Sequence, residues 1–283
     1  MARKRITITL KNELLKQLDE MVDGRLIRNR SHALEEVLAE ALAKKPIKAL
    51  ILAGGKGVSF SSLVPESPKA LLPVNGRPLL EHTLLKLKAA GISDIVISLG
   101  HGGQKIKDYF RNGSRWDLNI SYLEQQTGKK GTAQPVKQAQ SHFASTFLLL
   151  YGDVLADIDY NDLLDFHRSQ TGLVCTMALT SVERVSMWGV ARLVGSRIVE
   201  FEEKPKNPKT HSHLVNAGIY VAEPSLFRYI REDDLKLESG SLPRLAEEGK
   251  LGGYSFDGSW FDVSTVQTYE RLVEFGKHQV MSF

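Results

Sequence analysis

Ile47-Lys48-Ala49-Leu50-Ile51-Leu52-Ala53 runs directly into Gly54-Gly55-Lys56-Gly57. A run this apolar, closed by glycines, reads as a strand buried on both faces. Glycines at its end let backbone N–H groups approach a phosphate closely, although such a loop can also be a plain tight turn. The spacing is neither the Walker nor the dinucleotide-binding pattern. Outward from this point, Leu79–Ala90 reads as a helix closed by Gly91, and Ile92–Ser98 as a strand. Residues 102–111 read as a helix, 119–123 as a strand, 133–144 as a helix and 146–151 as a strand, with a last helix near 266–280. Strands alternating with helices predict an α/β fold around a Rossmann-like, mostly parallel sheet with helices on both faces.

The first 46 residues follow a different pattern. Arg5-Ile6-Thr7-Ile8-Thr9-Leu10 alternates strictly, as a half-buried strand does. Leu14, Leu15, Leu18, Met21 and Val22 then form the apolar stripe of a helix, with Asn12 placed to cap it and Gly24 to end it. Ser31 is placed to cap a second helix carrying Leu34, Val37, Leu38 and Leu42. One lone strand and two helices cannot close a core, so the strand calls for a partner, most simply a second copy of the chain. Lys44-Lys45-Pro46 reads as a linker, which divides the chain into domains 1–46 and 47–283.

Composition narrows the class. The 283 residues are 42% hydrophobic and 25% charged, as in a soluble globular protein, which excludes collagen-like and wholly disordered chains. No apolar run approaches the ~18 residues of a membrane span, so no membrane partner is expected. The single cysteine, Cys175, permits no internal disulfide and suits a reducing, cytoplasmic setting. Eight scattered histidines carry no zinc-site spacing. Residues 1–48 hold 11 Lys/Arg against 7 Asp/Glu, so the whole net charge of +4 lies there. A basic segment on a neutral body points to an anionic partner for that segment alone, or to a solvated helix face.

Lys4-Arg5-Ile6-Thr7-Ile8-Thr9-Leu10, followed by Asn29-Arg30-Ser31-His32-Ala33-Leu34, resembles the ribbon-helix-helix DNA-binding proteins from Lys4 to about Lys45. In that family two chains pair strands into a ribbon that enters the major groove. The resemblance implies double-stranded DNA as partner and a homodimer or higher homo-oligomer. It places Arg5, Thr7 and Thr9 against base edges, where arginine can bind guanine bidentately. Ser31 and His32 would present helix N-terminal N–H groups to a phosphate. A pairing module without DNA contact is the plainer reading of the same residues.

Leu52-Ala53-Gly54-Gly55-Lys56-Gly57, Pro68-Lys69-Ala70-Leu71-Leu72-Pro73-Val74 and Asn75-Gly76-Arg77-Pro78-Leu79-Leu80 resemble the sugar-1-phosphate nucleotidyltransferases, which make nucleotide sugars on a glycosyltransferase-A-like sheet. Gln125 or Gln126, Gly131-Thr132-Ala133, Gly152-Asp153, Phe201-Glu202-Glu203-Lys204-Pro205, Asn216-Ala217-Gly218-Ile219-Tyr220 and Trp260-Phe261-Asp262-Val263 follow in family order. The resemblance implies that Ala53, Gly54, Gly55, Gly57 and Gly131 hold the nucleotide, with Gln125 or Gln126 reading its base. Lys69, Asp153 and Asp262 become the catalytic set, with Asp153 and Asp262 holding Mg²⁺, a hard ion suited to carboxylates and phosphate oxygens. Glu203, Lys204 and Asn216 would take the sugar phosphate. The implied reaction joins a nucleoside triphosphate to a sugar-1-phosphate, with pyrophosphate leaving. Its catalysis is mostly positioning and charge stabilisation.

The chain departs from the family at the glycine loop. Ser59 occupies the position of the family's triphosphate-clamping arginine, and Val58, Ser62 and Val64 replace its Thr, Pro and Thr. Ser264 stands where glycine is usual. Serine cannot replace a planar bidentate cation. Two functions are therefore expected to compete. One is a DNA-binding transcriptional regulator whose large domain binds a nucleotide sugar or sugar phosphate, with catalysis weakened. The other is a working nucleotidyltransferase that carries a ribbon-helix-helix module.

Overall fold

The computed structural model describes residues 7–43, 46–55, 67–125, 131–206 and 212–278. Contacts within the chain divide it into two compact units, Met1–Pro46 and Ile47–Phe283.

The small unit contains helices α1 (Asn12–Glu20) and α2 (Arg30–Ala43). Neither helix is capped by the residue its sequence suggests. Helix α1 begins at Asn12 itself, after an extended Lys11 that provides no side-chain cap. At α2, Asn29 Oδ1 accepts the N–H of His32 at 3.0 Å, so Asn29 is the cap and Ser31 lies inside the first turn. The connection is closed by Asp23 Oδ1, which accepts the N–H groups of Arg25, Leu26 and Ile27 at 2.8, 2.9 and 2.9 Å. Those bonds hold the Asp23 carboxyl below its ordinary range. The Arg30 guanidinium forks onto the Asp19 carboxylate and ties the two helices together.

Of the expected strand, Arg5 and Ile6 lie outside the described residues, and Thr7–Leu10 carries no strand in the single chain. An isolated strand has no ladder partner for its N–H and C=O groups, so it does not register as one. Only Leu18 and Ala33 of the described side chains are buried in this unit. Ile8, Leu14, Met21, Leu26, Val37 and Leu38 remain exposed, Leu26 at 82%.

Among the described residues, the large unit is built on a nine-stranded sheet. Its strands are β1 (Lys48–Ala53), β4 (Asp94–Leu99), β5 (Asn119–Glu124), β6 (Phe147–Tyr151), β8 (Cys175–Ser181), β9 (Gly189–Val194), β10 (Arg197–Glu203), β11 (Leu214–Ala222) and β12 (Leu251–Ser255). Two short antiparallel ribbons stand apart: β2 (Pro73–Val74) with β3 (Arg77–Pro78), and β7 (Val154–Ala156) with β13 (Trp260–Asp262). The helices are α3 (Leu79–Ala89), α4 (Gly103–Phe110), α5 (Ala133–Gln138), α6 (Tyr160–Ser169), α7 (Leu226–Tyr229), α8 (Ser241–Glu247) and α9 (Val266–His278). Predicted helix 133–144 thus breaks after Gln138 into a tighter 3₁₀ turn over Ala139–His142.

The sheet order is β5-β4-β1-β6-β11-β8-β12-β10-β9. The first four strands are parallel throughout. Along the chain they rank third, second, first and fourth, so the winding reverses between β1 and β6, where such folds bind ligands at the carboxyl ends of their strands. The run of parallel pairs stops there and recurs between β8 and β12. Strand β11 runs antiparallel to both β6 and β8, and β9 and β10 pair antiparallel. The sheet as a whole is therefore mixed. The reason for the last pair is the two-residue connection Gly195-Ser196, which permits only a hairpin. Two apolar cores fill the two faces. One includes Ile51, Leu84, Ile97, Phe110, Leu150 and Leu163, and the other Leu50, Phe147, Met177, Tyr220, Phe227 and Leu245.

Asn75-Gly76, both at positive φ (48° and 78°), forms the tight turn between β2 and β3. Asn75 Nδ2 also donates to the Gly276 carbonyl of α9 at 2.9 Å. A third apolar group of Leu72, Val74, Leu79, Leu155, Val263 and Leu272 packs this hairpin against β7, β13 and α9. That packing brings the segment before the hairpin, including Lys69, towards the ends of β6 and β13.

Asn29→Ala removes the observed cap of α2 and is expected to cost about 1 kcal/mol, whereas Ser31→Ala should be near neutral. Hydrogen exchange of the amides in the first turn of α2 measures both; faster exchange in Ser31→Ala alone would contradict the assignment.

Candidate active site

The loops after β1, β4 and β5 meet with no room for side chains at the glycines. A Cβ on Gly54 would lie 2.3 Å from Gln125 Nε2, and one on Gly100 would lie 2.7 Å from Gly54 Cα. Gln125 is placed by its N–H, which donates to the Leu99 carbonyl at 2.9 Å. Gln125 therefore covers the glycine corner that the sequence assigns to the nucleotide, next to a buried Ala53. Gln126, Gly57 and Ser59 lie outside the described residues.

At the end of β6, the Gly152 N–H donates to the Leu52 carbonyl at 2.9 Å and locks the β6 turn onto β1. A Cβ at Gly152 would lie 3.0 Å from that carbonyl oxygen. This close approach sets Asp153 beside the glycine corner, its Oδ2 4.0 Å from where a Gly55 Cβ would stand. Lys69 Nζ reaches the same oxygen at 3.0 Å, with the two side chains 14% and 28% exposed. Strand β13 pairs antiparallel with β7, so Asp262 lies opposite Val154, and the Val263 N–H donates to the Asp153 carbonyl at 2.8 Å. Lys69, Asp153 and Asp262 are thus brought together from positions distant in the chain.

Burial, then the neighbouring Asp153 charge, push the Asp262 carboxyl above its ordinary range. The Trp188 indole N–H (2.9 Å to Oδ2), the Lys69 charge and the Ser264 hydroxyl oppose that shift. Among the described residues, no three His, Cys, Asp or Glu side chains gather to hold a metal. Two carboxylates with an ammonium beside them fit Mg²⁺, which is bound through one or two carboxylates together with substrate phosphates.

Glu203 ends β10 and Lys204 follows it. The Lys204 backbone is left-handed (φ 50°) and its N–H donates to the Trp188 carbonyl at 3.1 Å. A non-glycine residue held in this region is strained, a feature that concentrates at functional sites. The Lys204 side chain is exposed, with no ion-pair partner among the described residues. Glu203 is half-buried, and a Cβ at Gly189 would stand 3.1 Å from its Oε2. Asn216 lies at a bulge in β11 opened by Gly218, whose φ of 73° suits glycine. Its amide is buried: Oδ1 accepts the Gly218 N–H at 3.0 Å and Nδ2 donates to Tyr220 Oη at 2.6 Å. Gly131 (φ 119°) has no space for a side chain either, because a Cβ would meet the Leu235 carbonyl oxygen at 2.0 Å.

Several residues here escape a sequence reading. Trp188 and Gly189 carry a visible signal, an aromatic-glycine pair opening β9. Tyr151 immediately precedes Gly152-Asp153, and Tyr220 ends the Asn216 motif. Glu238 has no signal, being one acid in a run of charges.

In the small unit, Thr7 and Thr9 are exposed and Arg5 lies outside the described residues. Ser31 is exposed, while the His32 N–H that was expected to await a phosphate is bound to Asn29. His32 also receives the Arg28 N–H on Nδ1 at 3.3 Å.

Residues 48–278 match the nucleotidyl transferase family, and residues 4–45 match the ribbon-helix-helix proteins of the copG family. The chain belongs to the nucleotidyl transferase family and carries an N-terminal ribbon-helix-helix domain. It is 34% identical, over 80% of its length, to a Sulfolobus acidocaldarius protein provisionally named a mannose-1-phosphate guanyltransferase, and spans 62% of that relative. It is 30% identical to a Bacillus subtilis protein provisionally named a glucose-1-phosphate cytidylyltransferase, covering 82% of this chain and 95% of the relative. Several other curated relatives are likewise longer, this chain spanning between 51% and 62% of their length. A UDP-glucose pyrophosphorylase solved with UDP-glucose shares the fold at a TM-score of 0.71, with 22% identity over 83% of this chain and 100% of the other.

Burial, then the Glu238 charge, hold the Glu203 carboxyl above its ordinary value of 4.5. The folded state binds this proton more tightly than the unfolded chain, so the stability it contributes is full below 4.5 and lost as pH rises through the raised folded value. Glu203→Gln is therefore expected to raise the urea midpoint at pH 7, with the gain shrinking as pH falls towards 4.5. An equal gain at both pH values would refute this.

Proposed function

We propose that the chain is a DNA-binding regulator whose nucleotidyltransferase domain binds a nucleotide sugar, or the nucleotide and sugar phosphate from which one is made. The observation that carries this reading is the union of two features. A ribbon-helix-helix domain is fused to a site that keeps its phosphate, metal and sugar residues but has Ser59 in place of the loop arginine.

In this reading the Gly54-Gly55 backbone approaches the phosphates, Gly131 borders the nucleotide and Gln125 covers its base. Lys69 neutralises phosphate charge from its place against Asp153. Asp153 and Asp262 would hold Mg²⁺, which when bound supplies charge neutralisation to phosphate oxygens. Lys204 takes the sugar phosphate while Glu203 and Asn216 take sugar oxygens. The exposed apolar side chains of the small unit would be covered by a second copy of the chain, whose strand completes the ribbon. Arg5, Thr7 and Thr9 of both copies then face DNA, and Ser31 and His32 flank its phosphates.

A working transferase is the second reading. The close grouping of Lys69, Asp153 and Asp262 favours it.

Pyrophosphate release separates the two. Purified protein is given Mg²⁺, each nucleoside triphosphate, and mannose-1-phosphate or glucose-1-phosphate, with Ser59→Arg alongside. Loss of one charged donor costs roughly 10²–10³ in rate, so Ser59→Arg is expected to exceed the unmodified chain by that factor. Robust turnover by the unmodified chain establishes the transferase.

DNA binding is expected to be steeply salt-dependent and to shift when a nucleotide sugar is added, because coupling requires different affinities in two states. Fluorescence anisotropy on a library-selected duplex measures both. No duplex retained by the unmodified chain, under conditions where Arg5→Ala serves as control, would sink the regulator.

A further inference from the structure

Thr132, Glu238, Tyr151, Tyr220 and Asn216 form one hydrogen-bonded chain from the turn before α5 to the bulge of β11. The direction of every link is set by its neighbours. Thr132 Oγ1 already accepts the Leu237 N–H at 2.9 Å, so its hydroxyl proton goes to Glu238 Oε2 at 2.7 Å. At the other end Asn216 Oδ1 accepts the Gly218 N–H, which leaves Nδ2 to donate to Tyr220 Oη. The Tyr220 hydroxyl donates to Tyr151 Oη at 3.3 Å, and the Tyr151 hydroxyl donates to Glu238 Oε1 at 2.7 Å. Burial, and then the Glu238 charge, push both tyrosine hydroxyls up, so they stay protonated and able to donate.

Both arms therefore arrive at Glu238 as donors. A carboxylate is an acceptor at both oxygens, and a carboxamide of the same shape would turn an N–H towards one arm. The side chain is 8% exposed, and among the described residues hydroxyls and no cation meet it. A buried charge is costly unless donors meet it, so Glu238 holds both hydroxyls in place. Its charge also acts on Glu203, which places it beside the proposed sugar wall.

We infer that Glu238 is a positioning residue for the sugar-bearing half of the ligand. By drawing the donors of both arms towards itself, it keeps the Asn216 amide from flipping. Asn216 then presents Nδ2 with a second proton for an oxygen acceptor, a sugar hydroxyl or ring oxygen. Through Thr132 the same carboxylate holds the turn at Gly131 that borders the nucleotide, so the two halves of the site share one frame. This inference rests on the proposal that the domain binds a nucleotide sugar.

The test is calorimetric titration of the full chain with GDP-mannose, UDP-glucose and dTDP-glucose, and with the nucleoside triphosphate matching the tightest of them. Glu238→Gln and Tyr151→Phe are compared with the unmodified chain. Tyr151→Phe cuts only the arm towards Asn216 and leaves the Thr132 bond in place. Both substitutions are expected to weaken the nucleotide sugar roughly tenfold, the scale of a hydrogen bond to a charged group. Tyr151→Phe should leave triphosphate affinity within twofold, a split that a general loss of structure would not produce. Unchanged nucleotide-sugar affinity in Tyr151→Phe, or equal losses for both ligands, overturns the inference while leaving the proposed function intact. Failure of the unmodified chain to bind any of the three sugars overturns the proposed function, and the inference with it.

Discussion

The bond from the Gly152 N–H to the Leu52 carbonyl is the constraint on which the site depends. It joins the carboxyl ends of β1 and β6 where the sheet reverses its winding, and a side chain at residue 152 would crowd the approach. Asp153 follows directly and is delivered between the Gly54-Gly55 corner and Lys69. The next residues form β7, whose pairing with β13 brings Asp262 alongside. One backbone contact thus decides where both carboxylates stand, with Lys69 set against them by the packing of Leu72, Val74 and Leu79 on Leu155 and Val263.

Two carboxylates so close would repel, and the surroundings show how this is managed. Lys69 lies on Asp153, while Asp262 receives the Trp188 indole N–H and help from Ser264. The Asp262 carboxyl is still displaced upward, because burial and the Asp153 charge exceed those aids. A divalent cation held by the pair would offset that repulsion, which supports the proposed Mg²⁺ role. Ser264, an apparent departure from the family, supplies a donor to Asp262 that glycine could not.

The small unit shows the opposite condition, a set of elements that does not complete itself. Its turns and caps are well provided with hydrogen bonds, from Asp23 and Asn29 and the Asp19–Arg30 pair. Beyond Leu18 and Ala33 its described apolar residues are not buried, and Thr7–Leu10 has no ladder to join. Local polar chemistry can be satisfied within 46 residues, whereas a closed core of that size is hard to build.

Much of the molecule was legible in the residue order. The β1 strand and its glycine loop, the alternating elements up to β6 and the small unit's two helices all follow from local periodicity and glycine punctuation, which act within a few residues. The ordered motifs also named the residues of the proposed site, among them Lys69, Asp153, Glu203 and Asp262, of which Lys69 and Asp153 meet in three dimensions. Tertiary structure decided what depends on residues far apart in the chain. The sheet's change from parallel to mixed at β11 is a pairing choice between distant strands. Asn29 rather than Ser31 caps α2 because backbone geometry, and not residue type, selects among adjacent polar side chains. Glu238 emerges only in three dimensions, because its role is set by the directions of hydrogen bonds arriving from Thr132 and Tyr151. Those directions do not exist until β6, β11 and the segment before α8 are packed together.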